Sequence, residues 1–179
     1  LVCARQDDNN IVFYPLIENF HKNGILKFSK FPYMNKKLQD TAEKYGKELL
    51  NYFKYVGVLV IEFFVTKDGK LVANEMAPRV HNSGHWSIEG SSISQFELHV
   101  RAITDDLEKK PIEFMPSVML NILSKYPDDN LLSGLESHYL HSYDKEERNL
   151  RKLGHITITK SNAEQLELIL PEFLKLLND

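Results

Sequence analysis

Residues 61–76, IEFFVTKDGKLVANEM, constrain the fold more than any other segment of the sequence. Two apolar runs flank Lys-Asp-Gly-Lys, and Asp-Gly between such runs predicts a tight hairpin because both central residues readily take positive φ. With Asp68 and Gly69 as a two-residue loop, the expected pairs are Lys67 with Lys70, Thr66 with Leu71, Phe64 with Ala73, and Glu62 with Glu75. Two carboxylates would then face each other directly, with Cβ atoms about 5 Å apart.

Opposed carboxylates need a physical reason. Two carboxylates this close do not both stay ionised unaided, so either one takes up a proton or a cation lies between them. Magnesium prefers carboxylate oxygens and commonly keeps substrate phosphates and water in its remaining positions. The register therefore predicts a magnesium site at Glu62 and Glu75. Two other interpretations stay open, a solvated face that tolerates the pair and a bulge that separates it.

A loop dense in polar side chains follows the second apolar run. Arg79 offers a planar fork of donors that suits a phosphate or carboxylate-like anion, and His81 and Asn82 add further hydrogen bonds. An anion beside a magnesium site is the layout of phosphoryl transfer. Each residue alone is more typical of a surface or structural position, so the prediction depends on the whole cluster of Asn74, Glu75, Arg79, His81, Asn82, Ser83 and His85.

Composition excludes several classes of function. The 179 residues are 42% hydrophobic and 26% charged, which is typical of a soluble globular protein with one domain or two small ones. A net charge of −3 and the lack of a long basic run argue against a nucleic acid or membrane partner. The single cysteine excludes an internal disulfide, and no apolar span or leader is evident, so a cytoplasmic location is expected. Because the chain begins with leucine, we expect it to be a piece of a longer protein.

The first half of the chain predicts antiparallel strands and a long helix. Strands are expected at residues 1–4, 11–16 and 24–31, which are rich in β-branched and aromatic residues. Apolar residues then recur at three- and four-residue steps over residues 35–55, which predicts a helix that Gly57 ends. Its buried stripe is expected to contain Leu38, Ala42, Tyr45, Leu49, Tyr52, Phe53 and Val56.

A second helix is expected over residues 94–105. Ser94 is its predicted N-cap and Glu97 stands at the capping-box position. The expected buried face is Phe96, Val100 and Ile103. This leaves Glu97, His99 and Arg101 on the outer face, with no chemistry assigned to them.

Charges and two prolines interrupt the pattern over residues 105–116, which predicts a boundary between a unit of residues 1–110 and a small unit of residues 111–179. Three strands are expected in the second unit, at residues 117–123, 137–143 and 154–160. A final helix is expected to open at Ser161 with Glu164 and to be kinked or split by Pro171. Its predicted apolar face is Leu166, Ile169, Leu170, Phe173, Leu174 and Leu177.

Three blocks carry a resemblance to a known family: YPLIENFHKNGIL (residues 14–26), NEMAPRVHNSGHWSIEGSSISQFELHVRAI (74–103) and YDKEERNLRKLGHI (143–156). The sequence resembles the ATP-grasp superfamily, and within it the family of 5-(carboxyamino)imidazole ribonucleotide synthases. The resemblance implies an α+β fold, in which the C-terminal lobe of an ATP-grasp domain, an antiparallel sheet with helices, precedes a small mixed α/β domain.

The resemblance also implies an activity and roles for residues. ATP would activate bicarbonate as carboxyphosphate, and the carboxyl group would pass to the amine of aminoimidazole ribonucleotide. Glu62 and Glu75 would bind magnesium at the ATP phosphates, with His21 and Asn74 lining the nucleotide site. Bicarbonate, carboxyphosphate or the product would contact Arg79, His81 and Asn82, and the ribonucleotide phosphate would contact Lys145, Arg148 and Arg151.

The sequence departs from the wider pattern at two places. Many relatives carry Glu-x-Asn-x-Arg after the second strand, whereas here Ala77 takes the place of the asparagine, as in the specific family. The usual Pro-Gly of the basic loop is replaced by Asn149 and Leu150, which makes Lys145 the firmest of the three phosphate contacts. Other ATP-grasp ligases, a non-catalytic binding or dimerisation module, and a solvated basic turn remain alternatives. A homodimer is expected from the resemblance alone.

Overall fold

A computed structural model describes residues 1–107, 111–135 and 138–176. Within these ranges the strands are β1 (Val2–Asp7), β2 (Asn10–Phe13), β3 (Glu18–Lys22), β4 (Ile25–Phe31), β5 (Gly57–Val65), β6 (Leu71–Ala77), β7 (Ser117–Leu123), β8 (His138–Ser142) and β9 (Lys152–Thr159). The helices are α1 (Lys36–Phe53), α2 (Ser87–Gly90), α3 (Gln95–Ile103), α4 (Asp129–Ser133) and α5 (Ala163–Phe173), with short 3₁₀ turns at Asn82–Gly84 and Leu174–Leu176. No helix in these ranges is long and apolar enough to cross a membrane.

The strands form two antiparallel sheets. The first has the order β2-β1-β5-β6, and the second has the order β3-β4-β7-β9-β8. The second sheet therefore joins strands from both sides of the expected boundary near residue 110, because β4 pairs with β7. The antiparallel α+β architecture agrees with the fold expected from the sequence. The division into two units stays a prediction.

The hairpin of β5 and β6 has a longer loop than the sequence predicted. Thr66 and Lys70 close the turn, so that Val65 pairs with Leu71 and Phe63 pairs with Ala73. The predicted pairs of Phe64 with Ala73 and Thr66 with Leu71 are therefore wrong by one residue. Glu62 nevertheless pairs with Glu75, as predicted, because a bulge inserts one extra residue between Ala73 and Glu75 and restores the register.

The long helix α1 forms as predicted, and its buried face agrees with the prediction at Leu38 and Ala42 but not elsewhere. It begins after the N-cap Asn35, whose side chain accepts from the Leu38 amide, and it ends at Phe53 rather than at Gly57. The buried residues are Leu38, Ala42, Gly46 and Leu50, whereas the predicted Tyr45, Tyr52, Phe53 and Val56 are exposed. The pattern favoured large apolar residues and missed Gly46, where the helix approaches β1 closely: a Cβ at Gly46 would lie 3.0 Å from Leu1 Cδ2.

Helix α3 also buries the face opposite to the predicted one. Its N-cap Ser94 accepts from the Glu97 amide at 3.2 Å, as predicted. The helix packs Leu98 and Ala102 against β1 and β5, and leaves Phe96, Val100 and Ile103 exposed. His99, expected on the outer face, accepts at Nδ1 from the Val58 amide of β5 at 3.0 Å. Periodicity missed this face because it contains a buried polar residue, Gln95.

Helix α5 packs on the second sheet and differs slightly from the prediction. It is capped by Asn162 rather than Ser161, and it passes through Pro171 without splitting, to end at Phe173. Leu166 and Phe173 are buried against Val118, Leu120, Ile156 and Ile158 of β7 and β9. Of the predicted apolar face, Leu177 lies outside the described residues.

A second core cluster surrounds Trp86 in the loop that follows β6. The indole stacks on Phe31 with ring centroids 5.0 Å apart and meets the Tyr14 ring edge-on at 6.3 Å. Trp86 is 1% exposed. Burying such a ring anchors the loop firmly between the two sheets, which matters because this loop carries the polar cluster identified in the sequence.

Gly154 is expected to be required for the pairing of β8 with β9. A Cβ at this position would collide with the backbone carbonyl of His141, which has no freedom to move aside. Gly154→Ala should lower the unfolding free energy by about 3 kcal/mol in denaturant titrations. Gly24→Ala is the matched control, since its Cβ meets nothing within 4 Å and only its φ of +75° costs energy, about 1 kcal/mol. Equal losses for both variants would contradict the collision.

Candidate functional site

The bulge in β6 directs three polar side chains to one place. Phe63 pairs with Ala73 and Glu62 pairs with Glu75, so Asn74 is the extra residue. Two bulge residues that oppose one partner re-aim their side chains relative to a regular strand. The bulge thereby pairs Glu62 with Glu75, and the loop after β6 adds His81, so that ligand atoms of all three residues lie within 4.8 Å of one another. The predicted meeting of the two carboxylates therefore occurs on one side of the sheet.

Glu62 is buried and receives several polar neighbours. Its side chain is 8% exposed, with Asn19 Nδ2 donating to Oε1 at 3.2 Å and Asn74 Nδ2 at 3.5 Å from Oε2. Ser29 Oγ donates to Asn19 Oδ1 at 2.7 Å, which fixes the amide with its nitrogen towards the carboxylate. His21 Nε2 lies 3.8 Å from Oε2. These neighbours replace part of the hydration that burial removes from Glu62.

His81 orients Glu75. Its Nδ1 accepts from the Ser83 backbone N–H at 3.3 Å and lies 2.9 Å from Ser83 Oγ. A backbone N–H can only donate, so Nδ1 carries no proton and the ring proton is on Nε2. Nε2 therefore donates to Glu75 Oε1, 2.8 Å away. In this tautomer the histidine donates to the carboxylate and orients it.

The side chains around this cluster line a cavity of about 470 Å³. The carboxylates of Glu62 and Glu75 come from two paired strands, and that of Glu75 is half exposed. Carboxylate oxygens are the ligands that magnesium prefers. In the same lining, the Asn82 amide nitrogen is buried without a hydrogen-bond partner among the described residues, and it suits an anionic oxygen. The polar residues of the lining are His21, Glu62, Asn74, Glu75, His81, Asn82 and Lys152.

A second cavity, of about 470 Å³, adjoins the first. The two share His21, Glu62, Phe64 and Asn74 in their walls. Away from this shared wall, the second cavity is largely apolar and includes Leu16, Ile17, Tyr33, Leu38, Ile61, Phe63 and Leu71. An apolar chamber thus opens onto the buried carboxylate.

Lys152 is a candidate site residue that the sequence analysis missed. It is the first residue of β9 and lines the polar cavity. Burial lowers the pKa of its ammonium group, while the nearby Glu62 and Glu75 carboxylates oppose that shift. The sequence prediction began this strand at Gly154 and left Lys152 in the basic loop. A strand two residues longer would have placed it in the sheet. Asn19 was missed similarly, because β3 was not predicted.

The structure does not bring every predicted residue to the polar cavity. Arg79 is exposed, and its Nη1 donates to the neighbouring Val80 carbonyl at 2.8 Å. Lys145 is exposed, and its Nζ lies 5.2 Å from the centroid of the Tyr143 ring. Arg148 and Arg151 are also exposed, in a turn where the Arg151 amide donates to the Arg148 carbonyl at 3.0 Å. Their roles stay predictions.

Leu150 in the same turn has a φ of +59°, the region that favours glycine. The turn is held to the loop after β7, where the Ser124 hydroxyl accepts from the Leu150 amide at 2.9 Å and the Ser124 amide donates to the Arg151 carbonyl. These hydrogen bonds fix the turn that presents the basic residues.

Three histidines stack beside this region. The rings of His141 and His155 are 4.4 Å apart and nearly parallel, and His85 lies 5.1 Å from His155. Tyr143 Oη lies 2.8 Å from His155 Nδ1, and His141 Nε2 is 2.6 Å from Glu89 Oε1. Burial, reinforced by the neighbouring histidines, lowers the pKa of His155 to about 3 and that of His85 to about 4.

These features define a class of protein. A family model described as the ATP-grasp domain matches residues 1–96, more than half of the 179 residues, so the chain belongs to the ATP-grasp family. A second model, described as the phosphoribosylaminoimidazole carboxylase C-terminal domain, matches residues 117–168.

Within that class, the similar proteins are N5-carboxyaminoimidazole ribonucleotide synthases. The protein of that name from Escherichia coli is 47% identical over 178 residues, which are 99% of this chain and 50% of that protein. The crystal structure of the synthetase from Thermus thermophilus has a TM-score of 0.87 at 38% identity, covering 99% of this chain and 50% of that one.

A third similar protein is the synthase from Aspergillus clavatus, whose structure is a complex with ADP and 5-aminoimidazole ribonucleotide. It has a TM-score of 0.84 at 30% identity and covers 99% of this chain and 51% of that one. The chain spans about half the length of the relatives it matches. The resemblance stated from the sequence is confirmed.

The buried histidine stack predicts a pH dependence of stability. His155 stays neutral in the folded chain down to about pH 3, whereas it titrates near 6.5 when unfolded. Between these values the unfolded chain binds one more proton, so the unfolding free energy contributed by this site falls as pH falls, by about 1.4 kcal/mol per pH unit. His155→Gln should reduce the slope of the unfolding free energy against pH, between pH 6 and pH 4, by the contribution of one bound proton, about 1.4 kcal/mol per pH unit. The same slope in both proteins would contradict a neutral His155.

Proposed function

We propose that this chain is the C-terminal part of an ATP-dependent ligase that carboxylates 5-aminoimidazole ribonucleotide with bicarbonate. In the proposed reaction an oxygen of bicarbonate takes the γ-phosphoryl group of ATP, which gives ADP and carboxyphosphate. The ribonucleotide amine then attacks the carboxyl carbon, phosphate leaves, and the amine proton is lost. The product is N5-carboxyaminoimidazole ribonucleotide, an intermediate of de novo purine biosynthesis.

The observation that carries this proposal is the cluster of Glu62, Glu75 and His81 in a chain that matches synthases along nearly all of its length. Bound magnesium would supply charge neutralisation at the transferred phosphoryl group, with Glu62 and Glu75 as its protein ligands. His81 would hold Glu75 in orientation through its Nε2 proton. No side chain in this cluster is placed as a nucleophile, which favours direct transfer between substrates.

The two adjoining cavities suit different parts of a nucleotide. The apolar chamber suits a base and its ribose, and the shared wall of His21, Glu62 and Asn74 suits the phosphates. His21 and Asn74 are thereby proposed as nucleotide contacts. The upstream half of the proposed enzyme would supply further contacts to the base.

The other side of the polar cavity is proposed to hold the reacting anion. Asn82 offers a buried amide nitrogen with no partner among the described residues, and Lys152 offers an ammonium group in the lining of the same cavity. Arg79 would need to turn from the Val80 carbonyl to reach that anion. Exclusion of water from the closed site would protect the carboxyphosphate anhydride from hydrolysis.

The basic turn is proposed to bind the phosphate of the ribonucleotide. Lys145 is held over the Tyr143 ring, and Arg148 and Arg151 extend the positive charge along the same exposed turn. A dianionic phosphate is the partner that such a turn suits. We further propose that the enzyme is cytoplasmic, a location that the single unpaired cysteine suits. From the resemblance we propose that it is a homodimer, and from the sequence pattern that a small C-terminal unit begins at residue 111.

Two alternatives remain distinct from this proposal. A different ATP-grasp ligase would use the same carboxylate pair with another amine or carboxylate. A binding or dimerisation module would fold without catalysing the reaction. ATP hydrolysis by the complete protein should require bicarbonate and aminoimidazole ribonucleotide together. ATP hydrolysis that depends on neither substrate would favour another ligase. Failure of calorimetry to detect binding of magnesium-ADP would favour the binding or dimerisation module.

Glu75→Gln in the complete protein should lower carboxylation by about 100-fold or more, because an amide gives a metal ion no negative charge. The fold should be retained or slightly stabilised, since the amide oxygen still accepts from His81 and the repulsion from Glu62 is removed. Carboxylation assays, thermal melts and Mn²⁺ binding measure these effects. Glu172→Gln, on an exposed turn of α5, is the control, and wild-type activity in Glu75→Gln would remove the metal assignment.

Lys145→Ala should chiefly weaken ribonucleotide binding, because it removes one charge from the phosphate contact. We expect the KM for aminoimidazole ribonucleotide to rise about 10- to 100-fold, with bicarbonate-dependent ATP hydrolysis retained. Steady-state kinetics with each substrate varied in turn give the comparison. Lys47→Ala, on the exposed side of α1, should leave every constant unchanged. A lowered kcat with an unaltered KM would contradict a binding role for Lys145.

A further inference from the structure

Gln95, the first residue of α3, is fully buried and lies outside the linings of both cavities. Its backbone amide donates to Ser87 Oγ at 2.9 Å. Its side-chain amide makes three further hydrogen bonds, all of them to the loop that carries His81 and His85. Burying a glutamine side chain costs desolvation free energy, which its hydrogen bonds must offset. Because both polar atoms of this side chain bond to one loop, they fix the geometry of that loop.

Two of these bonds hold the backbone of His81 on both sides. Gln95 Oε1 accepts from the His81 N–H at 3.0 Å, and Gln95 Nε2 donates to the His81 carbonyl at 2.8 Å. A backbone N–H only donates and a backbone carbonyl only accepts, so the amide cannot be turned over. His81 lies between β6 and the 3₁₀ turn, where its carbonyl also accepts from the Gly84 N–H at 2.9 Å, so the particular contribution of Gln95 is the acceptor for the His81 N–H.

The third bond fixes His85. With one hydrogen of Nε2 given to the His81 carbonyl, the other points to His85 Nδ1 at 2.8 Å, which must accept it. His85 is thereby held neutral with its proton on Nε2, in agreement with burial lowering its pKa to about 4. Gly84 makes room for this arrangement, because a Cβ there would lie 2.6 Å from Gln95 Cδ.

We infer that Gln95 is a positioning residue for His81, fixing the imidazole that orients Glu75 without itself touching the reacting groups. This inference rests on the proposed function for its catalytic consequence, but the clamp itself is independent of it. The line of contact runs from the Gln95 amide to the His81 backbone, and from His81 Nε2 to Glu75 Oε1. Neighbouring residues that orient a metal-binding carboxylate commonly contribute about 10- to 100-fold to activity.

Three variants of the complete protein test the inference. Gln95→Met keeps the volume and removes all three side-chain bonds. Gln95→Glu keeps the acceptor for the His81 N–H and removes both donors. Gly84→Ala displaces the amide without altering it. The control is Gln39→Met, because the Gln39 side chain also bonds twice to backbone elsewhere in the chain, accepting from the Leu16 N–H at 2.7 Å and donating to the Tyr14 carbonyl at 3.1 Å.

The first readout is independent of catalysis. In ¹⁵N-histidine-labelled wild-type protein, long-range proton–nitrogen NMR spectra should show His81 and His85 as Nε2–H tautomers. The three variants should shift or broaden both sets of signals, whereas Gln39→Met should leave them in place. Unchanged His81 signals in Gln95→Glu and Gly84→Ala would overturn the clamp, even if the complete protein proved to have no carboxylase activity.

The second readout is kinetic. All three variants should lower the kcat of carboxylation by about 10- to 100-fold, with the KM for the ribonucleotide unchanged. If Gln95→Met fails to fold, Gln95→Glu and Gly84→Ala carry the test. Wild-type kcat in these two variants, or an equal loss in Gln39→Met, would overturn the positioning role. The positioning role is supported if the variants lose kcat and show altered His81 signals while Gln39→Met shows neither change.

Discussion

The bulge at Asn74 is the constraint on which the rest of the site depends. It adds one residue to β6 opposite Glu62, which compensates for the longer turn and restores the pairing of the two glutamates. Without it, the period of two along a strand would send Glu75 to the other face of the sheet. The bulge also gives Asn74 access to Glu62, so that one local irregularity assembles a carboxylate pair and an amide around a single position.

The carboxylate pair requires a supporting structure because like charges at this distance repel. Support comes from both sheets and from the loop between β6 and α3. Asn19 from β3 bonds to Glu62, His81 from the loop bonds to Glu75, and Lys152 from β9 faces both. Trp86 anchors the loop, and Gln95 holds its backbone. The second sheet therefore contributes directly to a site whose carboxylates belong to the first.

The sequence predicted the pairing of the two glutamates more accurately than it predicted the buried faces of the helices. The glutamate pairing was predicted correctly from a loop that was one residue too short, because the omitted bulge cancelled the error. The face of α3 and part of the face of α1 were predicted wrongly because large apolar residues were taken as buried. In the structure Gly46 allows close packing of α1, and a polar Gln95 is fully buried in α3, while Val100 and Ile103 remain exposed. Periodicity alone does not distinguish small packing residues or satisfied buried amides from surface positions.

The sequence by itself determined most of the strands, the long helix, the hairpin with its two glutamates, and a family resemblance specific enough to name the chemistry. These depend on local propensity and on residue types at short spacing. Only the tertiary structure decided that β3 and β4 join β7 in one sheet, that Lys152 enters the cavity, and that Gln95 holds His81. Each of these joins residues that local sequence patterns do not connect, because burial and hydrogen-bond geometry select such contacts only when the whole chain has folded.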